Sequence, residues 1–442
     1  MSLTRDIAGR ALEVDALPPR ARHAARLSLL DGLATMGAAV TLEPAARPFA
    51  QMARGPGAST LLAGGTAPPG LAALANGALS HALDFEDTFD AAGLHPNAVA
   101  IPALLALAEL EGTAPERLLV ALALACDVSC RIGLSLGADP AARGWYHPPM
   151  IAAAGAALGA AHLLRLSPDQ ATSAISLALT QFSLTDALKR SPASDLRAVR
   201  DGFAARAAVE AALLARAGVT GTGDPLAEPG GLVHLLAGAP PDPAAFDGLG
   251  RTFHGEEVTL KLWPCCRGTH PAIALGLSLA AEGRAPEQLE SAAFTLNPPD
   301  DMLFHPLADR QRPQSAIGSK FSIPYAFAHA WLHGAPDLRA FQPEARQHPE
   351  TLRLAAKITL QDCAAGLRIS ALLRFNDGGQ EVRPLPAPPR LPAGTTRQEE
   401  IAGKLADCLR HAPEAMAPLL CALEAERLPA DLSPLLAPLR AA

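Results

Sequence analysis

The sequence predicts a mainly α protein: a large all-helical domain built from both chain ends, with an inserted smaller α+β domain. Three observations carry this. Through the first half, apolar residues recur at helical spacing and no convincing strand pattern occurs. Near Phe253 the pattern changes to short alternating runs interleaved with helical ones. After the proline-rich crossing PLPAPPRLP (384–392), helical periodicity returns. The domains so read are 1–255 plus 393–442 (helical) and 256–392 (α+β), with no internal repeat.

In order, residues 18–40 carry Ala21, Ala24, Leu27, Leu30 and Leu33 on one helical stripe. Glycine and proline punctuate 55–70, a loop. Pro69 opens a helix to about 83, Pro96 one to about 111, and Pro115 one to about 136. A loop, GADPAARGWYHPP, follows. Helices are expected at 149–165, 167–183, 194–217 and 230–237; Ser167-Pro168 is an N-cap with proline at the first helical position. Strands are expected at 258–263, 291–296 and 356–361. A hairpin joins 367–375 to 381–385 across Asn376-Asp377-Gly378. Helices interleave at 270–282, 322–333 and 343–354, and the chain ends in helices at 396–412, 413–427 and 432–441.

Of 442 residues, 49% are hydrophobic and 18% charged, ample for a core. The low aromatic content, 4%, with abundant Ala and Leu, favours close helix packing. A net charge of −7 does not suggest a nucleic-acid surface, though a local cationic pocket is compatible with it. Seven cysteines, an odd number, read as reduced thiols in a cytoplasmic protein. The N-terminus lacks an apolar signal region, and the longest apolar run is too short to span a bilayer, so no membrane partner is expected.

Five stretches stand out. LSHALDFEDTFDAAGLHP (79–96) packs His81, Asp84, Glu86, Asp87, Thr88 and His95 between apolar helices. His81, Asp84 and Thr88 are spaced to share a helical face, which suits acid–base or positioning work; a solvated helix end is the bland alternative. A metal site from His81, Asp84 and Asp87 matches no standard ligand spacing, so no metal is expected. GWYHPP (144–149) places Tyr146 and His147 just before a helix, whose N-terminus favours anions. Arg197 and Arg200, three apart, suit a carboxylate clamp or an ordinary charged face.

In KLWPCCRGTHP (261–271), Lys261 interrupts an apolar strand-like run and is either a buried functional amine or an edge lysine. Cys265-Cys266 is too few for an iron–sulfur cluster; a nucleophilic cysteine near His270 is conceivable. GSKFSIPY (318–325) holds Lys320 and Tyr325, one of five lysines and one of two tyrosines. A capped core helix with a buried Tyr hydroxyl is the alternative there.

Together, NGALSHALDFEDT with HP following, GWYHPP, DLRAVRDGFAARAA, KLWPCCRGTHPAI and SKFSIPYAFA resemble the MmgE/PrpD family, in the family's order over about 76–332. The resemblance implies a helical domain plus a smaller lid-like α+β domain, a homodimer, and no organic cofactor. It implies a small di- or tricarboxylate substrate, as for 2-methylcitrate dehydratase, cis-aconitate decarboxylase and iminodisuccinate epimerase. Asp84, Thr88, His95, His147, Lys261 and Tyr325 fall on pocket positions of the decarboxylase branch. Arg197 stands where that branch has Lys, Cys266 where it has His, and the step from Thr88 to His95 is one residue longer. These departures argue against cis-aconitate decarboxylase itself.

The expected activity is therefore a cofactor-independent lyase, a hydro-lyase of the 2-methylcitrate dehydratase type. The alternatives are a dicarboxylate epimerase or isomerase, a decarboxylase of the cis-aconitate type, a metal-dependent hydratase, and a non-enzymatic carboxylate binder. The expected catalytic residues are Asp84, His95, His147, Lys261 and Tyr325. His81, Thr88, Tyr146, Arg197, Cys266, Arg267 and His270 are expected to contact substrate.

Overall fold

A computed structural model describes residues 2–181, 184–191, 194–425 and 430–441. The chain is mainly helical with a small mixed sheet in its C-terminal region, the fold class the sequence predicts. It forms two compact units. The first comprises 1–186, 198–261 and 391–442; the second comprises 187–197 and 262–390.

The first unit is built on long helices: Pro19–Leu42, Pro69–Ser80, Pro96–Glu111, Pro115–Leu134, Pro148–Leu163, Pro168–Leu179 and Asp201–Arg216. Six of these seven begin with proline, whose missing N–H is no loss in a first turn. Their faces carry Ala and Gly, and this lets backbones approach. A Cβ on Gly202 would stand 2.4 Å from the Leu74 carbonyl oxygen, and one on Gly155 2.4 Å from that of Ala125. Helix pairs at such separations gain dispersion contacts along their length. Gln398–Leu409 returns from the C-terminal segment to this unit.

The second unit holds a four-stranded sheet in the order Ile358–Cys363, Leu289–Leu296, Ser370–Phe375, Gln380–Pro384. The first pair is parallel and the others antiparallel. Gly378, at φ 85°, closes the expected hairpin, where a residue with a Cβ would be strained. Helices His270–Ala281 and Ile323–His333 pack on each other around Trp263, Cys265, Ile273, Tyr325 and Phe341.

Several expected elements differ. The run 258–263 is not a strand. Thr259 instead makes isolated antiparallel bridges to Thr88 and Pro392, because this segment meets loops rather than a sheet edge. The helix expected over 194–217 breaks into Leu196–Val199 and Asp201–Arg216. That over 343–354 divides at Pro349 into Pro343–Arg346 and Pro349–Ala355, as the residue before a proline disfavours helix. A helix Leu3–Leu12, capped by the Ser2 hydroxyl, was not foreseen. The ends of the helices expected over 167–183 and 413–427 lie outside the described residues.

Candidate active site

Helix Pro69–Ser80 stops at His81, and the chain turns through Asp84, whose φ of 51° is left-handed. A non-glycine residue held there marks a backbone constrained by its surroundings. Thr88 then exchanges two backbone hydrogen bonds with Thr259, of 2.9 and 2.8 Å. This fastens the turn two residues from Lys261. The segment re-enters a helix at His95, which precedes Pro96. His81 and His95 thus bracket the loop at its two helix ends.

Lys261 is fully buried. Its Nζ donates to Asp84 Oδ1 at 2.6 Å, to the Asp84 carbonyl at 3.1 Å and to Glu86 Oε1 at 3.1 Å. Three acceptors around one nitrogen match the three donors of an ammonium. Glu86 is the hub: its Oε1 also lies 2.7 Å from His81 Nδ1 and 3.1 Å from His95 Nδ1. The His95 Nδ1 is 2.9 Å from the Asp87 carbonyl, an acceptor, so it carries the proton and leaves Nε2 as the basic nitrogen. The two imidazole centroids are 5.3 Å apart. Asp201, at the start of its helix, places Oδ2 3.9 Å from His81 Nδ1 and 3.7 Å from Arg200 Nη2. The Arg200 guanidinium lies 4.8 Å from the Tyr146 ring centroid.

Burial works against charge on both acids, but their neighbours decide the outcome. Burial raises Glu86, yet His81, Lys261 and His95 together hold it well below the ordinary carboxylate range. Burial likewise opposes ionisation of Asp84, and Lys261 overrides it. For Asp87 the balance goes the other way: burial, with the charges of Asp31 and Glu86, pushes it up to about 7 against the Asn97 hydrogen bond and the weaker pull of Lys404. Burial pushes His95 down to about 4, against the pull of Glu86 and with the help of Lys261 and His81, so its imidazole is neutral near neutral pH. Within this cluster His81 Nε2, Asp84 Oδ2 and Glu86 Oε2 are buried without a hydrogen-bond partner among the described residues. Unsatisfied buried polar atoms are costly in a finished core and are what a polar ligand would satisfy.

His81, Glu86 and His95 could also hold a metal ion, their ligand atoms lying within 4.8 Å of one another. The Lys261 ammonium already supplies a cation to the same Glu86 oxygen, so a metal would have to displace or repel it.

The structure brings His81, Asp84, Glu86, His95 and Lys261 into direct contact. Thr88 is buried beside them and acts there through its backbone. Tyr146 donates its backbone N–H to the Leu184 carbonyl, and His147 Nε2 lies 3.3 Å from the Ala92 carbonyl.

The remaining candidates belong to the second unit. Arg197 lays its guanidinium 3.6 Å from the Phe321 ring centroid. A pocket there is lined by Lys189, Ser191, Ser194, Arg197, Arg310 and Gly318. Burial and the charge of Arg197 push Arg310 down to about 10. Cys266 donates its backbone N–H to the Lys320 carbonyl. Arg267 donates to the Pro389 carbonyl at 2.7 Å and lies 3.3 Å from His270 Nδ1. The His270 ring packs 5.0 Å from Trp263. Tyr325 is buried in the apolar cluster, donating its hydroxyl to the Ala340 carbonyl, and burial raises its pKa above the ordinary phenol value.

Sequence reasoning named Glu86 among the ionisable residues of 79–96 but not among the catalytic or substrate-contacting ones, and did not single out Asp201 or Arg310. Glu86 had a signal, its place among the other ionisable residues of 81–95. Asp201 and Arg310 had none, since each acquires neighbours only through packing.

An acid–base centre around a buried lysine, on a mainly helical frame, is an arrangement enzymes build to manage charge and protons. Residues 9–244 match the MmgE/PrpD N-terminal domain and residues 263–366 the MmgE/PrpD C-terminal domain. The chain belongs to the MmgE/PrpD family. It is 29% identical over 338 residues to the cis-aconitate decarboxylase-like protein oryM of Aspergillus oryzae, covering 70% of this chain and 69% of that one. It is 26% identical over 404 residues to cis-aconitate decarboxylase of Aspergillus terreus, covering 83% and 81%. With cis-aconitate decarboxylase of Mus musculus the identity is 25% over 305 residues, covering 66% of this chain and 61% of that one. Among the described residues, no helix is long and apolar enough to cross a membrane.

Proposed function

We propose that this protein is a lyase that decarboxylates a small tricarboxylate of the cis-aconitate kind. The observation that carries the reading is the buried Lys261 ammonium shared by Asp84 and Glu86 beside two imidazoles. The names of its relatives support decarboxylation over the dehydratase expected from sequence.

The chemistry follows from charge. Breaking the bond to one carboxylate releases CO2 and leaves an electron pair. In an unsaturated acid that pair delocalises through the adjacent double bond, and a proton completes the product at the far carbon. Lys261 stabilises the negative charge that develops, in a low-dielectric site where one cation counts for much. His81, oriented by Glu86 through Nδ1, presents Nε2, which has no hydrogen-bond partner among the described residues, as the proton-handling atom. Neutral His95 serves as hydrogen-bond partner or proton acceptor. Arg197 and Arg310 line a cationic pocket within the second unit, of a kind that suits a carboxylate.

A dehydratase remains the second reading, because Arg197 and Cys266 stand where the decarboxylase branch has Lys and His. Incubation with cis-aconitate, 2-methylcitrate and related acids in D2O, followed by NMR, separates the two. CO2 release with one deuterium in the product supports decarboxylation. Loss of a hydroxylated substrate to a vinylic product replaces it with the dehydratase. Deuterium exchange without net conversion replaces it with an epimerase.

A further inference from the structure

Lys404, on helix Gln398–Leu409, takes no part in the chemistry above, yet it reaches the same loop. Its Nζ lies 2.6 Å from Asp31 Oδ1 and donates to the Phe85 carbonyl at 2.6 Å. It also stands 4.3 Å from the centroid of the Phe85 ring. Both charged side chains are 1% exposed. Phe85 is the residue between Asp84 and Glu86, the two acids that hold Lys261. Asp31, on helix Pro19–Leu42, shares a small internal cavity with Ser80, Glu86, Asp87 and Asn97.

A buried ion pair by itself is weak evidence for stability, since apolar replacements of equal volume often serve as well. What distinguishes this pair is a second partner of the ammonium. The ammonium is bonded to a backbone carbonyl immediately after Asp84, the residue in left-handed conformation. Such a conformation persists only where its surroundings over-determine it. Asp84 and Glu86 are therefore held directly by Lys261 and, through the Phe85 carbonyl between them, by Lys404.

We infer that Lys404, fixed by Asp31, is a positioning residue: it pins the Phe85 carbonyl and thereby sets how Asp84 and Glu86 present themselves to Lys261, His81 and His95. This rests on the reading of that loop as the reaction centre.

The test compares the double variant Asp31→Leu/Lys404→Met with Lys404→Arg, Lys261→Ala and the unaltered protein. The double variant removes both charges and so avoids the stranded carboxylate that Lys404→Met alone would leave. Melting temperature, kcat and KM on cis-aconitate, and the imidazole NMR signals of His81, His95 and His162 are recorded. His162 is a buried control in the same unit, bonded to the Val14 carbonyl. The double variant should melt close to the unaltered protein, yet lose kcat by about tenfold or more, as a misplaced catalytic group does. KM should change far less. The His81 and His95 signals should move and that of His162 should not, and Lys404→Arg should recover part of the kcat.

A stable double variant with unaltered kcat and unmoved His81 and His95 signals overturns the inference. Full turnover by Lys261→Ala overturns the reaction-centre reading instead. If cis-aconitate is not turned over at all, the imidazole signals alone decide the positioning claim. If the double variant does not fold, Asp31→Asn is read instead, since it loosens the hold on Lys404 while keeping the lysine: unmoved His81 and His95 signals overturn the inference, and displaced ones support it.

Discussion

The Lys261 Nζ lies 2.6 Å from Asp84 Oδ1, and the lysine is fully buried while the aspartate sits in a left-handed turn. A buried cation needs its partners, and the turn at Asp84 aims two of them at one nitrogen, the side-chain oxygen and the carbonyl. Glu86 adds a third and links that nitrogen to both imidazoles.

Lys261→Ala should abolish turnover, a loss of roughly a hundredfold or more if the ammonium stabilises developing charge. It also strands two buried carboxylates, so urea unfolding should show a loss of about 3–5 kcal/mol. Near-normal rates in a folded variant would remove Lys261 from the mechanism.

Asp87 should govern stability on the neutral side. With its folded pKa at about 7 and an unfolded value of about 4, folding resists its ionisation. Its effect is absent at low pH and costs stability progressively as pH rises from about 4 through about 7. Asp87→Asn keeps an oxygen for the Asn97 amide and removes that slope. Its melting temperature relative to the unaltered protein should therefore rise between pH 5 and pH 8. A constant difference would show that Asp87 ionises without cost.

His95 acts on the acid side. Its folded pKa of about 4 lies below the usual value of about 6.5. The stability it contributes is full above about 6.5 and is lost as pH falls toward 4. Asp84 and Glu86, held low, lose theirs further down still. His95→Gln should flatten the decline between pH 6.5 and pH 4 in thermal melts, and an unchanged slope would contradict the assignment.

Arg197→Ala should raise KM for the carboxylate substrate by about tenfold or more with a smaller change in kcat, the pattern of lost ground-state binding. Steady-state kinetics would show this directly; an unchanged KM would take Arg197 out of substrate recognition.

Dialysis against a strong chelator should leave turnover unchanged, because the Lys261 ammonium provides the cation at the Glu86 oxygen that a metal would otherwise share. Loss of activity restored by a divalent ion would reverse this.

By itself the sequence determined the helical frame, the hairpin and the identity of the loop 81–95, since periodicity, opening prolines and dense ionisable residues are local signals. It also pointed to Lys261, as a lysine inside an apolar run. It misread 258–263 as a strand, because alternation says nothing of what an extended segment pairs with, and here the partners are Thr88 and Pro392. Only the tertiary structure decided that Glu86 is the hub, that Asp201 faces His81, and that Lys404 reaches Phe85 across 319 positions of chain. The physical reason is that a buried charge takes its meaning from neighbours within a few ångströms, and those neighbours are brought together by helix packing rather than by order along the chain.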